Sequence, residues 1–179
     1  MNIYQLKITL KYSRPPIWRR IHVSADTRLG ALHDIIQTAM GWSDDHLHQF
    51  IIGDTSYGMP DPHFPGDIKS ERNVRLDGVA AEGDTLIYEY DFGDGWVHEI
   101  EVEKVLPAEP GKRYPLCLAG KRACPPEDCG GMPGYERLLE VLRDPKHEEH
   151  EEMSEWAGED FDPEAFDLNE INRALKGIR

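Results

Sequence analysis

The stretch DTLIYEYDFGDGWVHEIEVEKVL, residues 84–106, constrains the fold more than any other part of the chain. Two alternating segments flank Asp94-Gly95, a dipeptide that suits the positive backbone angles of a tight hairpin turn. After the turn Trp96, His98, Ile100 and Val102 share one face, while Val97, Glu99, Glu101 and Glu103 share the other. A period of two with one apolar face defines a half-buried antiparallel sheet. The hairpin therefore needs neighbouring strands beside it and something apolar above it, and His98 is expected on the core side.

The remaining pattern supplies both. Residues 3–11 alternate Tyr4, Leu6, Ile8 and Leu10 against Gln5, Lys7 and Thr9. SRPP breaks this strand, and IWRRIHV reads as its hairpin partner. DTRLGALHDIIQTAMGW reads as a helix, with Asp26 or Thr27 as its cap, Leu29, Leu32, Ile36, Ala39 and Met40 on its apolar stripe, and Gly41 as its stop. HQFII, residues 48–52, is a short strand. Strands at 4–11, 17–23, 85–91 and 96–105 are thus expected in one sheet, with the helix at 29–40 packed on it. Residues 53–71 are rich in Gly, Pro and Asp and read as a loop without regular structure; NVRLDGV reads as a short strand. Beyond Leu106, Pro and Gly crowd residues 107–134. Helices then dominate: one opening at 134–143 with Tyr135, Leu138, Leu139 and Leu142 on a stripe, one ending at Gly158, and one capped by Asp162 with Pro163 in its first turn and Gly177 at its end.

This order defines an α+β protein. A β-grasp-like mixed sheet with one packed helix occupies residues 1–106, a Pro/Gly/Cys-rich connection 107–134, and C-terminal helices 135–179 pack on the same domain. VRLDGVAAEGDTLIYEY also resembles the closing segment of ubiquitin-like domains. Fold-level analogy of this kind carries no activity.

Charge narrows the partners. The 179 residues carry a net charge of −14, of which residues 140–170 hold −11, while residues 1–25 carry Lys7, Lys11, Arg14, Arg19 and Arg20 with no acid. Phosphate-backbone binding needs clustered cations, so nucleic acid is disfavoured overall, with a local contact through Arg14, Arg19 and Arg20 as the exception. The plainer expectation is that the acidic segment packs near the basic hairpin, burying Met153, Trp156, Phe161 and Phe166. No apolar run approaches the roughly 18 residues of a membrane span, and the start lacks the apolar centre of an export signal. Three cysteines without such a signal point to reduced thiols in the cytoplasm.

RPPIWRR, YDFGDGWVH, CPPEDCGGMPGY and HEEHEEMSEWAGEDFDPEAFDLNEIN together resemble the plasmid pRiA4b ORF-3-like family, over nearly the whole chain. The motif positions are Arg14, Pro15, Trp18 and Arg19, then Tyr90 to Asp94 with Trp96 and His98, then Pro125 to Asp128 with Gly130, Gly131, Gly134 and Tyr135. Some members are labelled insertion-element passenger proteins, which implies an association with mobile DNA. The resemblance brings no catalytic residues.

Four groups of residues are candidate sites. Asp91 and Asp94 near Trp96 and His98 suit a polar pocket for a small cation or a peptide, or a satisfied turn with aromatic packing. Cys117, Cys124 and Cys129, spaced C-x6-C-x4-C, would need a fourth ligand such as His98 to hold zinc, and only the second gap has zinc-site spacing. The alternative is a rigid turn: Pro125 and Pro126 restrict the backbone, Gly130 and Gly131 free it, and no tightly bound metal or other cofactor is required. His147-Glu-Glu-His150 matches neither HExxH nor HxxEH and reads as helix surface. His46 and His48, after Asp44 and Asp45, suit either a buried hydrogen-bonded histidine or a two-histidine, two-carboxylate metal cluster, with His63 in the long loop nearby. No P-loop, G-x-G-x-x-G or G-x-S-x-G occurs. The leading expectation is a cytoplasmic binding or accessory module acting through protein contacts, and the alternative is a metal-dependent enzyme using His/carboxylate or Cys ligands.

Overall fold

Strand β1 (Asn2–Leu10) runs through the sheet between two antiparallel partners. It pairs with β2 (Ile17–Ser24) on one side and with β7 (Trp96–Pro107) on the other. The computed structural model describes residues 1–63 and 66–178. The alternation seen in the sequence becomes burial: Tyr4, Leu6, Ile8 and Leu10 are all in the core. On the opposite face Glu103 accepts from Arg20 Nε and Nη2 at 2.7 and 2.8 Å and from Gln5 Nε2 at 2.8 Å. The sheet therefore has one apolar and one charged face, as an antiparallel sheet permits.

The hairpin forms, with β6 (Thr85–Tyr90) against β7 and Tyr90 opposite Trp96, but its loop is residues 91–95 instead of a two-residue turn, and the positive φ angles fall on Asp91 and Gly95, not on Asp94. On β6 lies β3 (His48–Ile52), then β4 (Thr55–Gly58), then β5 (Ile68–Ser70), which is parallel to β4. On the far edge β8 (Leu116–Lys121) pairs with β2. The order is β5-β4-β3-β6-β7-β1-β2-β8.

Helix α1 (Leu29–Met40) lays Leu29, Leu32, Ile35 and Ile36 on the apolar face, and Gly41 in the left-handed region ends it by donating to Gln37 O at 2.8 Å. Helices α2 (Gly131–Arg143), α3 (His150–Ala157) and α4 (Leu168–Leu175) follow. α4 contacts β8 and α1, and α2 contacts α3. Leu175, Tyr135 and Leu138 join the same core as Leu6 and Ile36.

Several local expectations are corrected. The stretch 53–71 holds β4 and β5, because a short strand needs only a paired edge and Gly-rich sequence does not forbid one. NVRLDGV forms a 3-10 turn at Leu76–Gly78 that plugs Leu76 into the core. Residues 107–134 contribute β8. Neither Asp26 nor Thr27 caps α1: its cap position is Arg28, and Leu29 N–H donates across the chain to Val74 O at 2.9 Å. The last helix starts at Leu168, capped by Asp167, whose carboxylate accepts from Asn169 and Glu170 N–H. Asp162 instead holds a turn by accepting from Glu164 N–H. In the acidic segment Met153, Phe161 and Phe166 pack against the core, but Trp156 stays 52% exposed. Contact with the basic hairpin runs through Phe166, whose ring lies 5.1 Å from the Arg19 guanidinium.

Candidate functional site

A cleft of about 970 Å³ opens between the first turn of α1, the 42–47 loop, the start of β3, the segment leading into β5 and the tip of the β6–β7 hairpin. Its floor is polar. His33, at a position four residues after Leu29, lies on the apolar stripe of α1 and is buried. Its hydrogen bonds fix its tautomer. Asp44 N–H donates to Gln37 Oε1 at 2.9 Å, so Gln37 Nε2 is the group donating to Tyr88 Oη at 2.9 Å. The Tyr88 proton then goes to His33 Nδ1 at 2.8 Å, which leaves His33 Nε2–H donating to Asp44 Oδ1 at 2.7 Å. Burial first, and repulsion by His48 second, hold the His33 imidazole below its ordinary range, and burial pushes the Tyr88 phenol well up. Such a histidine sits in the fold as a neutral, fully bonded group.

His48 opens β3 beside it. Its Nε2 lies 3.0 Å from both Glu71 carboxylate oxygens, and both side chains are only 8% exposed. The buried hydrogen-bonded histidine expected at this position is present, with Glu71 as a partner no local pattern announced. His33, Asp44 and His48 bring three donor atoms within 4.8 Å of one another. Their imidazoles, however, are stacked 3.5 Å apart at 7°. A histidine lone pair lies in the ring plane. Two parallel planes at that separation cannot both contain one ion, so this trio does not coordinate metal as it stands.

A second trio lies at the cleft edge. His46 comes from the 42–47 loop, Asp91 from the end of β6, and Asp128 from the CPPEDCGG turn. Both aspartates adopt positive φ, +60° and +59°, a conformation that short polar side chains tolerate best after glycine. Asp91 Oδ1 accepts from Gly93 and Asp94 N–H at 3.0 and 3.3 Å, which turns Oδ2 toward His46 Nε2 at 3.7 Å. Asp128 Oδ1 lies 2.9 Å from the same nitrogen. Although within ion-pair distance, His46 Nε2 is buried and out of line for a hydrogen bond to either. Tyr90 ties the two loops together: it accepts from Asp45 N–H at 3.0 Å and donates to Glu127 Oε1 at 2.5 Å, with its phenol pushed up chiefly by burial.

The glycines of the CGG turn belong to this junction. Gly130 N–H donates to Asp94 Oδ2 at 3.1 Å, and a Cβ on Gly131 would sit 2.5 Å from Asp94 O. The turn and the hairpin tip are therefore built against each other, which accounts for the two densest motifs in the chain occurring together.

The expected pocket of Asp91, Asp94, Trp96 and His98 is divided by the structure. Asp91 and Asp94 serve the junction, whereas Trp96 and His98 are fully buried under Trp42. His98 Nδ1 lies 3.3 Å from Tyr88 O, its Nε2 has no partner, and burial lowers its pKa to about 4. Cys117 is buried on β8. The Cys124 and Cys129 thiols are pushed up to about 12 by burial, and neither converging trio includes a cysteine. Of the basic residues, Arg14 is exposed. Arg19 is buried and donates to Ala39, Trp18 and Lys121 carbonyls, and Arg20 is bound to Glu103. Two of the three cations proposed for nucleic acid are thus engaged within the fold. His147 accepts from Glu149 N–H and His150 begins α3. His33, Glu71 and Tyr88 were not singled out by the sequence, and Tyr90 only as a motif position. For His33 the signal was present: its place on the stripe after Leu29.

Among the described residues a mixed eight-stranded sheet with four helices, carrying this cleft near the hairpin tip, defines the protein as α+β. The chain belongs to the plasmid pRiA4b ORF-3-like protein family, whose model matches residues 2–170. It is 40% identical over 180 residues to "Uncharacterized protein y4hQ" of Sinorhizobium fredii (strain NBRC 101917 / NGR234), covering 99% of this chain and 92% of that one. A crystal structure of a protein of unknown function, MM3350 from Methanosarcina mazei Go1, aligns at a TM-score of 0.87 and 42% identity over 94% of this chain and 96% of that one. No helix among the described residues is long and apolar enough to cross a membrane.

Proposed function

We propose that the protein is a binding module whose cleft takes a basic, amphipathic segment of a protein partner. One observation carries this reading: the mouth joins exposed apolar side chains to carboxylates that have no Lys or Arg counterpart among the described residues. Leu47, Met59 and Phe92 line it at 59%, 70% and 46% exposure. Asp34, Asp44, Asp45 and Asp61 stand among them, and no Lys or Arg lines the cleft among the described residues. Phe92 sits within the YDFGDG motif yet turns outward, where folding alone gains little from it. A Lys or Arg side chain suits such a mouth, because its aliphatic stem covers apolar surface while its head stays with the carboxylates. The volume lies in the range of pre-formed ligand pockets.

Panning a random-peptide display library over the immobilised protein tests the reading. Enrichment of Lys or Arg beside Leu, Met or Phe is expected. Binding should weaken as salt screens the charges and should be lost in a Leu47→Ser, Phe92→Ser double variant. Failure to enrich any sequence, enrichment without basic residues, or equal binding to the double variant would overturn it.

A further inference from the structure

We infer that His46, Asp91 and Asp128 form a binding site for a divalent first-row transition-metal ion such as Zn²⁺. The three donor atoms have the spacing of metal ligands. Ligand atoms about 2.1 Å from an ion lie roughly 3.0 Å apart at right angles and 3.4 Å apart at tetrahedral angles. The separations from His46 Nε2, 2.9 Å to Asp128 and 3.7 Å to Asp91, bracket those values. All three donor atoms lie within 4.8 Å of one another.

One of those donors, the His46 nitrogen, is unsatisfied. His46 Nε2 is shielded from water, faces two carboxylate oxygens and hydrogen-bonds to neither. Buried polar atoms rarely go unpaired. An ion between the three groups would use that lone pair and offset two carboxylates, neither of which has a Lys or Arg within 4.0 Å among the described residues.

The two aspartates are held in place before any ion arrives. Two backbone N–H groups fix Asp91 through Oδ1 and leave Oδ2 to coordinate, the outer-shell support typical of metal carboxylates. Asp128 is presented by a turn that Pro125, Pro126 and the close approach of Gly131 to Asp94 make rigid. One imidazole with two carboxylates suits Zn²⁺, Mn²⁺ or Fe²⁺ and gives no soft ligand. Three protein donors leave positions open toward the cleft that His46 lines. The CPPEDCGG turn would thus bind metal through its aspartate, not through the cysteines that first draw the eye. This inference is independent of the peptide reading, and its test uses no peptide.

Protein stripped with a chelator is titrated with Zn²⁺ by calorimetry and then melted with and without the ion. One saturable ion per chain and a rise in melting temperature are expected. Asp128 is 70% exposed, so Asp128→Asn should fold normally. It should nonetheless weaken Zn²⁺ by more than the roughly 10–100-fold that losing an outer-shell partner costs. His46→Gln should do the same. Replacing Cys117, Cys124 and Cys129 together by Ser should leave the affinity unchanged, and Co²⁺ should show no thiolate charge-transfer band. Absence of saturable binding, unchanged affinity in both single variants, or binding lost with the cysteines would overturn the assignment.

Discussion

His33 and His48 stack face to face, 3.5 Å apart and 7° from parallel. The pair joins α1 to β3, and each ring has its own carboxylate: Asp44 for His33 and Glu71 for His48. The stacking sets the two ring planes parallel, so neither ring nitrogen of one can bond to the other. The relay from Gln37 through Tyr88 already makes His33 the neutral member. The cleft floor is thereby a set of side chains bonded to one another.

Acid should weaken the fold before the carboxylates alone would do so. His33 and His98 both have lowered pKa values in the folded chain. Below about pH 6.5 the unfolded chain takes up protons that the folded chain refuses, so stability falls as pH falls from there toward 4. His98, lowered to about 4 and fully buried, accounts for about 3 kcal/mol of that loss. Urea unfolding at pH 7.5 and 4.5 measures it. His98→Leu should flatten the difference, and an equally steep dependence in that variant would remove His98 as the cause.

Gly131→Ala should destabilise far more than Gly83→Ala. Both glycines have positive φ, +69° and +89°, but a Cβ at Gly83 meets nothing within 4 Å, whereas at Gly131 it meets Asp94 O at 2.5 Å. The conformational cost alone is about 1–2 kcal/mol. The clash at Gly131 must open the junction between turn and hairpin tip, for a total of roughly 3 kcal/mol or more. Thermal melts of the two variants give the comparison; equal losses would show that the junction yields freely.

Glu71→Ala should cost about 1–3 kcal/mol, because it leaves the buried His48 Nε2 without its partner. Glu71→Gln retains an acceptor and should lose less. Chemical denaturation ranks the two, and an equal loss in the Gln variant would mean that charge, not hydrogen bonding, holds the pair.

The three thiols should be sluggish nucleophiles in the folded protein. Burial raises all of them, Cys124 and Cys129 to about 12, and the thiolate is the reacting form. Timed labelling with an aromatic disulfide at pH 8 should be at least about tenfold slower than for free cysteine and should reach three per chain in denaturant. Rapid labelling of Cys129 in the native protein would contradict the burial described.

Strands β1, β2, β3, β6 and β7 and helix α1 were legible from the chain alone, because period and turn chemistry act over neighbours. Alternation from Tyr4 to Leu10 and the Asp94-Gly95 turn need no distant partner to be read, and even the inward face of His98 followed from counting by two. Strands β4, β5 and β8 were not legible, since three to six residues at or next to a sheet edge carry little pattern of their own and become strands through the neighbours they bond. The same limit governs the site. Sequence brought Asp91 and Asp94 to one turn, and placed His46 and His48 near two aspartates. Only the tertiary structure set His46 between Asp91 and Asp128, stacked His33 on His48, and gave Glu71 to the latter. Those contacts join segments far apart in the chain through the sheet order and the docking of the CGG turn on the hairpin tip. No local propensity encodes them, because each depends on packing that exists only once the whole core has closed.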